Sequence, residues 1–225
     1  MHPLLGILAD LKGNKNVRKA VCLALILMIF SSVCLAENWE YYLEPKIKVP
    51  LNKESGLYFN VKEESRFKDG ANYYDKTSLG ISKKLAAGLD LAFYGAVADG
   101  QQAGQWKYSY IIWPELSGRR KLGNNDLAAN TKLEYFTSDG TWHLREQLSL
   151  VFPVNNQLSL WLGDEPRIFS LFNGPYFGEN EALAGFIYNL SEELSLNVFY
   201  DLRSVKQNSA WDNTNCLRTA VNYTL

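Results

Sequence analysis

Beyond the first 36 residues the chain carries a single histidine, His143. Histidine is the usual general base beside a serine nucleophile, the chemistry a lipid-cleaving barrel enzyme would need. The nearest serine on the same alternating face is Ser149. Six residues of extended chain span about 20 Å, far outside hydrogen-bond reach. A dyad would therefore need a serine from another strand. The plainer expectation is a polar-face histidine beside Arg145 with no catalytic role. No catalytic, cofactor-binding or metal-binding residues are assigned.

Asp164 and Glu165 are the next candidates, in Gly163-Asp164-Glu165-Pro166. Two adjacent carboxylates could hold a divalent cation, but the ligand spacing of a calcium loop is missing. They are expected in a solvated acidic loop. There is no Gly-rich phosphate cradle, Cys-x-x-Cys pair or Gly-x-Ser-x-Gly elbow. Of three cysteines, Cys22 and Cys34 lie in the leader described below, which leaves Cys216 alone.

Charge supplies the richer pattern. Glu44, Lys46, Lys48, Lys62, Glu64, Arg66, Lys107, Glu115, Arg119, Lys132, Glu134, Arg145, Asp201, Arg203 and Arg218 all fall opposite apolar residues in period-two segments. Such a face either lines a charged pore or closes on itself as ion pairs. Over 225 residues the balance is 23 basic against 24 acidic, a net charge of −1. No basic patch stands out, which argues against a nucleic-acid partner.

The elements that must position these side chains are strands. Residues 1–36 read as a signal peptide to be cleaved, with Lys12, Lys15, Arg18 and Lys19 ahead of the apolar run Ala20–Phe30 and cleavage expected after Ala36. That run is short for a spanning helix, which needs about 20 apolar residues. Loss of the leader leaves a net charge of −4. From 37 to 225 no Pro/Ser linker or composition shift interrupts the chain, so one domain is expected.

Alternation predicts strands over 38–50, 56–67, 72–85, 88–99, 106–121, 124–137, 141–152, 157–163, 180–190, 194–206 and 215–225. Most exceed the roughly 5–6 residues of a globular strand and match the roughly 9–11 that cross a bilayer at a tilt. Trp39, Tyr41, Tyr73, Trp106, Tyr108, Tyr135, Trp142 and Phe152 lie near strand ends, where interfacial aromatics belong. Short turns near Pro50–Ser55, Lys84–Ala87, Leu122–Asn124, Pro153–Asn156 and Ser191–Glu193 are expected to alternate with longer loops. The longer ones are placed at Lys68–Ala71, Asp99–Gln105, Ser138–Gly140, Gly163–Glu179 and Gln207–Thr214.

The fold expected is all-β: an antiparallel up-and-down transmembrane β-barrel of 10–12 strands after an N-terminal signal peptide. Eleven segments conflict with the even number usual in bacterial single-chain barrels. Either Arg167–Phe172 is a further strand or the first segment lies inside the barrel.

Several stretches carry a resemblance: Asn38-Trp39-Glu40, Lys48 through Leu51-Asn52-Lys53, Glu63-Glu64-Ser65-Arg66-Phe67, and Gly80-Ile81-Ser82-Lys83-Lys84-Leu85. Through these the chain resembles a bacterial family of predicted outer-membrane β-barrels filed as a domain of unknown function. The resemblance implies a fold and a compartment, the bacterial outer membrane, and no catalytic residues. The expected role is structural or that of a small-solute, porin-like pore. The alternatives are a lipid-modifying barrel enzyme and a secreted soluble barrel binding an apolar ligand. Expected partners are outer-membrane lipids including lipopolysaccharide, and the outer-membrane assembly machinery through the C-terminal strand. No cofactor is expected.

Overall fold

The computed structural model describes residues 39–52, 54–102, 104–207 and 210–225. The leader reading falls outside the described residues. Eleven strands follow one another: β1 (Trp39–Asn52), β2 (Leu57–Lys68), β3 (Ala71–Ala86), β4 (Leu89–Gln102), β5 (Gln105–Leu122), β6 (Asn125–Phe136), β7 (Thr141–Pro153), β8 (Leu158–Phe169), β9 (Tyr176–Asn189), β10 (Leu194–Gln207) and β11 (Ala210–Thr224). Each pairs with its chain neighbours, and β1 closes on β11. The barrel is therefore mostly antiparallel, as the alternation indicates.

The odd count is resolved by the closing seam. In a meander of eleven strands the first and last run the same way, so they can only pair in parallel. Trp39↔Asn215 through Lys48↔Thr224 do so, and the Leu225 N–H adds a bond to the Lys48 carbonyl. The first segment is in the wall. Arg167–Phe172 is not an additional strand: β8 runs unbroken to Phe169. The expectation of a long Gly163–Glu179 loop is corrected to a turn over residues 170–175. Asp164 and Pro166 look like loop residues because they interrupt apolar alternation, yet both point out of a continuous strand. The loop expected over Gln207–Thr214 is likewise mostly wall, since β11 begins at Ala210.

Connections do not alternate in length. Those at 53–56, 87–88, 123–124, 154–157 and 190–193 are about as short as those at 69–70, 103–104, 137–140, 170–175 and 208–209. The tightest are two-residue hairpins such as Asp69-Gly70, where both residues have positive φ, 51° and 77°. That pair matches the twist of the flanking strands, as primed turns do.

Three prolines interrupt the wall. The β1·β2 ladder skips from Leu43↔Ser65 to Lys46↔Lys62 around Pro45. The β5·β6 ladder skips from Ile112↔Tyr135 to Glu115↔Lys132 around Pro114. The β7·β8 ladder skips from Arg145↔Arg167 to Leu148↔Asp164 around Pro166. Proline has no N–H to donate, so a ladder bond is lost at each.

The register sends alternate residues to opposite sides, and the result is inverted relative to a soluble protein. Charged and polar groups are buried inside. Large apolar groups stand outside, with Phe93 58%, Leu148 57% and Leu160 50% exposed. Leu91 is exposed as well, whereas Leu196 points outward by register but is buried. Trp39, Trp106, Trp142 and Trp211 all lie outward at one rim, where β1, β5, β7 and β11 begin. Tyr135 and Phe172 pack on Trp142, and Phe177 on Trp211. Tyr73 is an exception to the expected girdle. A bulge opposite Arg66/Phe67 shifts the register of β3, and the Tyr73 hydroxyl reaches the interior carboxylate of Glu40 at 2.6 Å.

Candidate functional site

The interior is where charge collects, and it collects as a belt. Nine acidic side chains (Glu40, Glu44, Glu64, Glu115, Glu134, Glu165, Glu179, Glu181, Asp201) and nine basic ones (Arg66, Arg145, Arg167, Arg203, Arg218, Lys46, Lys62, Lys76, Lys132) face inward, with Glu40 next to the tryptophan rim, where half-exposed Lys68 also approaches it. Arg218 from β11 holds Asp201 at 2.6 Å and Glu181 at 2.8 Å, and approaches Glu44 at 3.6 Å. Arg145 from β7 pairs with Glu165 and lies 3.3 Å from Glu181. Arg203 joins Glu40 at 3.3 Å to Glu179 at 3.5 Å, and Arg167 continues from Glu179 at 3.4 Å to Glu134 at 3.9 Å. On the far wall Glu64 takes Arg66 and Lys76, each at 2.5 Å. Lys62 of β2 meets Glu115 of β5 at 3.2 Å, reaching across β3 and β4.

Tyr42 ties the two arcs together. Its ring lies between the guanidinium groups of Arg66 at 4.5 Å and Arg218 at 5.0 Å. Its hydroxyl donates to Glu40 at 3.0 Å and accepts from Arg203 at 3.2 Å. Flat cations over a tyrosine face gain from the ring quadrupole, more so when desolvated. The lone Cys216 is buried beside this ring, its thiol 3.7 Å from the Tyr42 hydroxyl.

The belt excludes water from its own centre. Asp201 is 0% exposed, Glu181 1% and Glu165 3%. An unpaired charge there would be costly, so equal numbers of each sign are what a self-satisfying plug requires.

Next to the belt, on the side away from the tryptophan rim, lies a chamber of about 230 Å³. Trp161 packs on Phe199 at 4.7 Å, and with Leu183 and Ile187 forms one apolar wall. Trp113 lies opposite, stacked on Tyr94 at 5.1 Å, and Lys62 sits 3.8 Å over the Tyr94 ring. Gly80 makes room for this stack, because a Cβ there would collide with the Tyr94 ring.

His143 does not meet a serine. It stacks between Phe136 at 4.5 Å and Phe169 at 4.7 Å, near the tryptophan rim. Among the described residues its hydroxyl neighbour is Thr141, 3.2 Å from Nε2. That hydroxyl spends its single proton on Asp139 at 2.6 Å, so it can only accept from His143. The imidazole Nε2 is therefore the donor in this contact.

Asp164 and Glu165 separate to opposite faces. Asp164 points outward and accepts from Asn180 at 2.8 Å. Glu165 points inward to Arg145 and accepts from Gln147 at 2.7 Å. Neither belongs to a solvated loop, and the two cannot share a cation. Lys76, Glu165, Arg167, Glu179 and Glu181 are belt members that the alternation left unassigned. Glu165 and Arg167, like Glu179 and Glu181, are spaced by two, and that spacing was the available signal.

These features define a class: a closed β-barrel with an apolar exterior and an ion-paired, largely filled lumen. The chain belongs to the family described as protein of unknown function (DUF2490), whose model matches residues 39–215. No curated protein matches the chain.

Proposed function

We propose that this protein is an outer-membrane β-barrel of a Gram-negative bacterium whose lumen is held shut by its ion-paired belt, giving it a structural rather than a freely conducting role. The observation that carries the reading is the inversion of polarity. Large apolar side chains such as Phe93, Leu148 and Leu160 stand exposed around the wall while charged pairs are buried within. In water that exterior would be an aggregation surface far beyond the few hundred Å² a soluble monomer exposes. In lipid it is the required surface, and closure leaves no unpaired strand edge in hydrocarbon.

Strands of 12–18 residues are long enough to cross a bilayer. The row of outward tryptophans at one rim suits a membrane interface. The signal-peptide reading of residues 1–36 supports export, and outer-membrane lipids, lipopolysaccharide and the assembly machinery are the partners this reading implies. The test is carbonate extraction of the exported protein followed by conductance of the purified barrel in planar bilayers. Retention in the membrane with no steady conductance is expected. Release by carbonate would mean a soluble apolar-ligand barrel. Stable porin-like steps would mean that the belt opens a pore.

A further inference from the structure

The chamber beside the belt has two features that a mere packing gap lacks. One wall is apolar and aromatic, with Trp161, Phe199, Leu183 and Ile187. The other carries cations among the carboxylates of Glu44, Glu64, Glu134 and Glu165, and their pairing is uneven. Lys46 has Glu44 at 3.3 Å, Lys62 has Glu115 at 3.2 Å, and Lys76 has Glu64 at 2.5 Å. Arg145 and Arg218 are each held by two or more carboxylates. Among the described residues Lys132 is the one chamber cation with no carboxylate within 4.0 Å. A partly buried ammonium in a site of reduced dielectric attracts a counter-ion, and Lys132, although opposite Glu115 in the β5·β6 register, makes no ion pair with it.

We infer that the chamber binds a small amphipathic carboxylate, its apolar body against Trp161, Phe199 and Ile187 and its anionic head on Lys132. The volume sets the class. About 230 Å³ exceeds the roughly 150 Å³ apolar cavity that accepts benzene, and leaves room for one head group. Long acyl chains are too large, and an inorganic anion would leave the aromatic wall unused. An aromatic acid of one ring fits both walls. The inference does not depend on whether the outer face meets lipid.

The test uses the folded full chain with benzoate as the probe and benzamide as its neutral isostere. Saturation transfer to the ligand ring protons is read by NMR in deuterated detergent, against heat-unfolded protein as the blank for micelle partition. Benzoate is expected to receive saturation from the folded barrel and benzamide to receive little. Lys132→Gln is expected to weaken benzoate at least tenfold, and Leu183→Trp, which fills the apolar side, to abolish it. Heat-modifiable gel mobility confirms that each variant is folded. Equal transfer to benzamide, benzoate binding undiminished in Lys132→Gln, or no transfer above the unfolded blank would each overturn the inference. A soluble, carbonate-released protein would be measured in the same way without detergent, so failure of the membrane reading is separately visible.

Discussion

Arg218 holds Asp201, Glu181 and Glu44 with one guanidinium, and its removal strands Asp201, which no solvent reaches, and leaves Glu181 only its longer contact to Arg145. Breaking a buried pair from one side typically costs about 3–5 kcal/mol, because the remaining charge stays buried and unmatched. Arg218→Ala is expected to fall in that range in urea titrations of the refolded barrel. Lys68→Ala should be nearly silent, since Lys68 is half exposed and 3.9 Å from Glu40. On the outer side Leu148 is the clearest probe. Leu148→Arg should cost about 2–4 kcal/mol near a bilayer midplane. An unchanged folding free energy in lipid vesicles would show that this face meets water. At this scale the sequence was informative about sides and poor about partners. Arg145 was assignable to the polar face from Trp142, Leu144 and Leu148 alone. That it reaches Glu165 depends on the pairing of β7 with β8, and nothing local encodes it.

The strands show the same division. Period-two alternation located all eleven, because a wall with a charged interior and an apolar exterior must alternate. It failed along β8 and the start of β9, where Asp164, Pro166 and Asn180 break the outward apolar row. Those residues resemble a loop only because outward positions were required to be apolar. The prolines have a measurable counterpart. Pro114 leaves β6 without one N–H donor, so Pro114→Val should restore a ladder bond and raise stability by about 0.5–1.5 kcal/mol. No gain in the urea midpoint would mean that the neighbouring carbonyl is already satisfied. Strand β11 is a stricter case because it carries both the closing seam and the Arg218 contacts. Deleting Val221–Leu225 removes the Leu225–Lys48 bond and the lower seam pairs, exposing two edges at once. The truncated chain is expected to lose heat-modifiable mobility on gels, and a variant that kept it would show that the seam does not need these residues.

For the whole molecule the balance of nine acidic and nine basic belt residues is as informative as any single pair. Neutrality was invisible in the net charge of −1, which also counts the surface. The parity of the wall is legible in the sequence as a count of eleven segments, which conflicts with the even number usual in bacterial barrels. Parallel closure of β1 on β11 removes the conflict and places Trp39 at one rim and Leu225 at the other.

That parity has a consequence for rewiring the chain. In an even-stranded wall a short linker between the ends gives a circular permutant without disturbing a single strand. Here a linker from Leu225 to Trp39 must run the length of β1, 14 residues or roughly 45 Å of extended chain, over the outside or through the filled lumen. A permutant opened at the Asp69-Gly70 turn with a four-residue linker is therefore expected not to fold. The same opening left unlinked, as two co-expressed fragments 1–69 and 70–225, is expected to reassemble into a heat-modifiable barrel. If the short-linked permutant folded as well as the fragments, the two ends would have to share a rim, and the wall would have to contain an even number of strands.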